Sequence, residues 1–370
     1  MTGSLQFEQL QFQAQGQWQK LQWPLAGPAQ VVTESGGLEI EGSADDYSFS
    51  LKADVDGPDI PPGAWSAQGS GGTEQVRLDA LQGEVLGGRL QAQAKVAWAP
   101  RLEWQASLSG NDINPGHIAP EWPGSLEFAL STTGTIEDDR QRIGVVIEKL
   151  AGELRDLPLA GSGEFHMDGA RMAFQEIELS SGKATLKANG QLQEQWDLDW
   201  TIDVADLADL LPQAQGRIQA EGKLTGSAEL PNIRANLAAD GVHFQELQLQ
   251  HLDGDIDLRL DGKGAGKEIV AIKLSARELG TADDLVETLS LDVGGPLTAQ
   301  TIQLAAAHPL GTVALDAKGA LDLDNSRWQG TLARLDLDAK EWGQWGLKSP
   351  AAISASPEAV NVSKDRKSVV

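Results

Sequence analysis

The stretch Trp196-Asp197-Leu198-Asp199-Trp200-Thr201-Ile202-Asp203-Val204 decides how the rest of the chain is read. Apolar residues occupy every even position and polar residues every odd one. In an extended strand successive side chains point to opposite faces, so this segment has one oily face and one charged face. The same period of two returns on both sides of it. Ile256, Leu258 and Leu260 alternate with Asp255, Asp257, Arg259 and Asp261, and Tyr47, Phe49, Leu51, Ala53 and Val55 alternate with Ser48, Ser50, Lys52 and Asp54. Leu90, Ala92, Ala94, Val96 and Trp98 repeat the pattern, and Leu289, Leu291 and Val293 give a shorter version.

Turn signals punctuate these runs at spacings of roughly 8–15 residues, and residues of this kind tolerate the positive φ that hairpins need. They are Asp56-Gly57-Pro58, Gly87-Gly88, Ser109-Gly110-Asn111, Asp168-Gly169, Asp240-Gly241, Asp261-Gly262, Gly294-Gly295-Pro296 and Asp324-Asn325-Ser326. Short strands at even spacing predict an all-β chain of roughly 22–28 strands. One segment reads as helix, about two turns from Asp203 to Leu211, ended by Pro212.

Composition narrows the function classes. With 41 Gly against 7 Phe and 1 Tyr, turn-forming residues outnumber bulky core residues, yet 41% hydrophobic content is too high for a disordered acidic tail. A net charge of −25 without a basic stripe argues against nucleic acid as partner. The absence of cysteine excludes disulfides, thiolate metal sites and cysteine nucleophiles. No apolar run reaches the roughly 18–20 residues of a membrane span, and no signal peptide follows Met1.

Candidate chemistry is sparse, and no cofactor is expected. His243 and His251 flank an alternating strand without further ligands at metal-binding spacing. Asp253-Gly254-Asp255-Ile256-Asp257 opens like a calcium loop, but its sixth position is Leu258 and its twelfth Gly264, so the pattern fails. The glycine-rich run from Gly262 to Lys267 lacks the phosphate-loop spacing and is followed by Glu268. No Gly-x-Ser-x-Gly elbow is present. The chain is therefore expected not to be an enzyme.

The chain also repeats itself. The alternation predicts one continuous groove over residues 1–363, with pseudo-repeats at about 83–180 and 181–295 and a looser one at about 300–345. Residues 364–370 (KDRKSVV) lack the alternation and are expected to be a non-native or disordered tail. A sheet that keeps extending must cover its apolar face, and curling around its long axis does so. The expected fold is an elongated curled β-sheet with an apolar concave interior and at most short helices. Strands stack about 4.8 Å apart, so about 25 of them would span on the order of 120 Å. That is a membrane-to-membrane length.

The residues expected to line this groove are Val96, Trp98, Leu102 and Trp104, then Leu126 and Phe128, then Trp196, Leu198, Trp200 and Ile202. Ile256, Leu258, Leu260, Leu289 and Leu291 continue the lining. The tryptophans either fill the interior or line a lipid path, and the two roles overlap. Trp122, Trp342 and Trp345 lie near predicted turns and are expected to cap the groove.

Several motifs, in order and at consistent spacing, resemble the TamB family within the wider AsmA-like group. They include Leu102-Glu103-Trp104, Ile113-Asn114-Pro115-Gly116-His117 and Glu121-Trp122-Pro123-Gly124-Ser125-Leu126. Leu150-Ala151-Gly152-Glu153-Leu154-Arg155, Leu157-Pro158-Leu159-Ala160-Gly161-Ser162-Gly163, Ala205-Asp206-Leu207 and Leu224-Thr225-Gly226-Ser227 extend the likeness over most of residues 35–345. The resemblance implies an inner-membrane-anchored periplasmic protein with a curled sheet, of which this chain is an internal piece. It also implies phospholipid acyl chains as cargo, carried between inner and outer membranes, and support for outer-membrane protein assembly with the barrel protein TamA. Nascent outer-membrane proteins are further expected partners. Two other readings stay open: a scaffold whose sheet edge pairs with unfolded barrel strands, and a hydrolase or carbohydrate-binding β-helix.

Overall fold

The computed structural model describes residues 11–363 apart from 25–27, 29, 58–59, 139, 261–267, 282 and 324. The expected turns at Asp261-Gly262 and Gly262 to Lys267, the residues Pro58 and Asp324, and the tail 364–370 lie outside the described residues. The chain divides into two compact units, residues 1–182 and 183–370. Among the described residues the first holds eleven strands, from β1 (Phe12–Trp23) to β11 (Arg171–Ser181). The second holds thirteen, from β12 (Ala184–Leu192) to β24 (Val360–Val362).

Both units are all-β and antiparallel throughout. In the first, each strand pairs with the next along the chain. In the second the same meander runs to β21 (Arg327–Ala339), whose far edge is shared by β22 (Gly343–Gly346) and β23 (Ala351–Ala355). Each sheet is open among the described residues, and bulges bend its strands. Eight of the ten pairings in the first unit carry a register shift. An extra residue on one strand of a pair forces a local bend and a stronger twist, which curls the sheet.

Period-two alternation and turn chemistry account for most of this. Three turn signals were misread. Gly294-Gly295-Pro296 ends β18 (Leu285–Pro296), paired with Ala271, Val270 and Ile269, and the turn follows at Leu297. Ser109-Gly110-Asn111 lies inside β7 (Leu102–Ile113), where the register with β8 (Gly124–Glu137) shifts between Gly110 and Ile113. Asp240-Gly241 lies inside β15 (Pro231–Phe244), opposite the irregularity at Gln215/Arg217 of β14 (Gln215–Gly226). Gly241 has φ +58, the left-handed conformation that serves a bulge as well as a hairpin.

The expected helix from Asp203 to Leu211 is also corrected. Asp203 and Val204 still belong to β13 (Trp196–Val204), and only Leu207–Asp209 turns, as a single 3-10 turn. Asp206 caps it by accepting from the Ala208 N–H at 3.0 Å. A short polar side chain at that position starts a turn, and Pro212 follows too soon for a helix to propagate. A second 3-10 turn, Pro115–His117, joins β7 to β8 and went unread in the sequence.

Candidate functional site

The two faces of each sheet are chemically distinct, and strand register shows how continuous they are. In the first unit one row runs in register across all eleven strands. It reads Trp18, Gly36, Ala53, Trp65, Gly83, Leu90, Gly110, Phe128, Leu150, Gly161 and Leu179. In the second unit a row crosses ten strands: Ala188, Trp200, Gly222, Ala235, Ile256, Ile272, Val293, Ile302, Ala317 and Leu332. Its neighbour reads Leu186, Ile202, Ala220, Leu237, Gly254, Leu274, Leu291, Leu304, Leu315 and Leu335. No polar side chain interrupts these three rows. Ten strands at about 4.8 Å spacing make an apolar strip about 43 Å long within the second unit.

These rows are sheltered without being filled. Among the described residues no large side chain is fully withdrawn from solvent. A packed sandwich of this size would bury its middle rows completely. Here most row residues are half-buried, and the buried ones are small, Ala53, Gly83, Gly110, Ala235, Gly254 and Ala317, with Leu332 the exception.

Most of the expected lining residues fall on this face. Val96 pairs with Trp104, Leu126 with Ile113, and Phe128 with Gly110 and Leu150. Trp196, Leu198, Trp200 and Ile202 follow one another along β13, with Leu198 buried. Ile256 and Leu258 lie on β16 (Leu247–Arg259) facing Ile272 and Val270, and Leu260 closes that end in a cluster with Val270 and Leu297. Leu289 and Leu291 on β18 (Leu285–Pro296) face Ala276 and Leu274. Leu102, two residues before Trp104 on β7, shares its face and pairs with Ile136; it and Trp98 lie at strand ends and are 38% and 47% exposed, with the Trp98 indole N–H bonded to Thr73 O at 2.9 Å.

The three tryptophans expected as caps have three different fates. Trp122 is stacked under Arg155, whose guanidinium lies 5.2 Å from the ring centre. Trp345 extends an apolar row through its pairing with Leu337, on the edge strand β22. Trp342 is 77% exposed in the preceding turn.

The opposite face carries charge arranged in cross-strand ladders. Lys223 reaches both Asp197 and Asp199 at 2.8 Å, and the two carboxylates, Asp197 first, raise its pKa. His251 lies 2.7 Å from Asp240 through Nδ1 and bonds Asp253 through Nε2. Those carboxylates, Asp240 first, raise the imidazole pKa, while Arg217 and then His251 lower that of Asp240. Such groups also line clefts. One of about 960 Å³ is lined by Lys52, Asp54, Glu84 and Arg89 with Trp18 and Trp65 of the apolar row, and one of about 630 Å³ by Asp199, Lys223, Arg234 and Asp257 with Trp200 and Ile256. Among the described residues no three His, Asp or Glu side chains are grouped to hold a metal ion. Among the described residues no helix is long and apolar enough to cross a membrane.

A family described as TamB, N-terminal domain, matches residues 2–365. The chain belongs to the TamB family. Among curated proteins, this TamB-family chain is similar to the translocation and assembly module subunit TamB of Haemophilus influenzae. The two are 21% identical over 333 residues, which is 89% of this chain and 25% of that protein. The chain thus spans about a quarter of the length of that relative. No solved structure matches it.

Proposed function

We propose that the apolar face of this chain shelters phospholipid acyl chains on their way between the inner and outer membranes of a Gram-negative envelope. The role is one of conduction rather than catalysis, within a periplasmic, inner-membrane-anchored protein that supports outer-membrane protein assembly with a barrel partner of the TamA kind. The observation that carries this reading is the set of apolar rows, continuous across ten and eleven strands and left unfilled by their own side chains. Each methylene kept from water is worth about 0.8 kcal/mol, so a two-chain lipid with about 30 of them faces over 20 kcal/mol in crossing water bare. An unbroken strip lowers that barrier without recognising any single group. The family and the name of the relative support the envelope setting.

Photoreactive residues test the reading. At Leu198 or Leu258, on the apolar face, they are expected to capture phospholipid in cells, and at Asp199 or Asp257, on the charged face, they are not. Equal labelling of both sets would remove the proposal.

A second reading draws on one observation. Strand β1 pairs only with β2 (Val31–Gly42), leaving twelve residues of backbone along its other edge without a strand among the described residues. Such an edge accepts an extended segment by backbone pairing. Leu258→Asp separates the two readings. It is expected to abolish lipid capture while leaving edge pairing with an unfolded barrel strand unchanged.

A further inference from the structure

The glycines on the apolar face are of two kinds. Some adopt left-handed backbone that a side chain would strain, as at Gly152 and Gly190. Others, including Gly36, Gly83 and Gly134, have no positive φ and would accept alanine as far as the backbone is concerned. What excludes a side chain there is an indole. Each of these glycines lies directly across the ladder from a tryptophan: Gly36 from Trp18, Gly83 from Trp65 and Gly134 from Trp104.

A Cβ added at Gly83 would stand 2.8 Å from Cε3 and Cζ3 of Trp65. At Gly36 and Gly134 it would overlap Cζ2 and Cε2 of Trp18 or Trp104, and those ring atoms are the nearest obstacles at each site. The second unit repeats the arrangement with Trp200 over Gly222. Each ring therefore occupies the space where its partner's side chain would be, lying across the sheet instead of standing on it.

Two indoles of this face, Trp18 and Trp328, are also held through their N–H groups on buried acceptors. Among the described residues two polar residues are buried, Thr33 and Gln300, and both accept an indole N–H. Trp18 donates to Thr33 Oγ1 at 2.5 Å and Trp328 to Gln300 Oε1 at 3.0 Å. Trp328 reaches that acceptor from two strands away, crowding Gly319 and Gly330 as it passes. A buried polar group needs a partner, and an indole needs an exit for its one donor, so each fixes the other.

We infer that these tryptophan–glycine pairs hold the largest side chains of the apolar face flat against the sheet, keeping a clear path above them for an acyl chain. The inference rests on the lipid reading above and adds the residues that set the clearance. An upright indole would block the strip at the strand where it stands. Glycine opposite it is what lets it lie down.

Gly134→Ala tests this in the intact protein, with a photoreactive residue at Leu108 on the same face of β7 reading phospholipid capture per folded molecule. Capture is expected to fall about tenfold, equivalent to ~1.4 kcal/mol. Adding Trp104→Ala to Gly134→Ala removes the obstructing ring and is expected to restore capture. Gly37→Ala, next to Gly36 but on the other face with no heavy atom nearer than 3.8 Å to the added Cβ, is expected to change nothing. A fluorine label on the Trp104 ring should shift its NMR resonance in Gly134→Ala and not in Gly37→Ala, with or without lipid. Unchanged capture in Gly134→Ala, a double variant as poor as the single one, or a ring resonance that does not move would each overturn the clearance role. A wild-type protein that captures no lipid at Leu108 while its ring resonance still responds to Gly134→Ala would instead count against the lipid reading itself.

Discussion

The two units share an architecture and cover their apolar faces by different means. In the first unit eight of ten strand pairings are bulged, and the buried apolar residues are Ala53, Ala67, Val85 and Ile113. In the second, two of twelve pairings are bulged, at Gln215/Arg217 and Asp316/Ala317. Among the described residues fifteen apolar ones are buried there, most of them in two clusters near opposite strand ends. The first cluster gathers Ala184, Val204, Leu207, Ala214 and Ala276 under the 3-10 turn Leu207–Asp209. The matching turn of the first unit, Pro115–His117, buries none of its residues. An amphipathic meander is thus sheltered either by bending its strands or by packing aliphatic side chains at its margin.

The sharpest way to break this comparison is at those turns. Leu207→Ala removes the side chain that plugs the margin of the second unit and is expected to cost about 2–4 kcal/mol in urea unfolding. Ile118→Ala, just after the corresponding turn of the first unit and 65% exposed, should change stability by less than about 0.5 kcal/mol. Equal costs would mean that the two margins are closed alike.

A smaller contrast lies in the caps of the same turns. Asn114 Oδ1 accepts from the N–H groups of both Gly116, at 2.9 Å, and Gly124, at 3.0 Å, tying the start of β8 to the turn. Asp206 Oδ1 accepts from the Ala208 N–H at 3.0 Å, within the turn itself. Asn114→Ala should therefore cost about 1–2 kcal/mol and Asp206→Ala about 0.5–1 kcal/mol, the reverse order of the Leu207 and Ile118 pair. Thermal melts of both variants check the ranking.

The smallest effect belongs to the charged face of the second unit, where His251 sits between Asp240 and Asp253 with Arg217 beyond. Its pKa is raised on folding, so the stability it contributes is complete below the ordinary histidine value of about 6.5 and is lost as pH rises through the raised one. Asp240 works the other way. Its lowered pKa gives stability that is present above the usual carboxylate range and lost as pH falls through the depressed value. The melting temperature of the wild type should exceed that of His251→Gln at pH 6, and the gap should close at pH 9. A gap that widens with pH would reverse the assignment.

Strand existence and facing were legible in the sequence because period-two alternation is a local property, plain in Trp196–Val204 and again in Ile256–Leu260. Glycine was harder to read. At Gly169 it marks a hairpin, at Gly241 a bulge and at Gly134 the place where a ring lies, and only cross-strand register separates these uses. The same limit hid the tryptophan–glycine pairs. Trp104 and Gly134 are thirty residues apart, and nothing local to either announces the other. Expecting a helix after β13 failed because the apolar residues Leu207, Leu210 and Leu211 satisfy a helical spacing over a segment too short to sustain one.

The next-neighbour pairing of these strands has a consequence for how such a chain comes into being. Apart from the shared edge of β21, every ladder among the described residues joins segments that leave the ribosome one after the other. No early segment waits on a distant late one to complete its hydrogen bonds, so loop-closure entropy is met in small instalments. A chain of this kind can fold hairpin by hairpin as it is threaded into a compartment, each new turn locking the strand before it. Its genes can likewise lengthen or shorten by whole hairpins without disturbing the partners of any strand already in place.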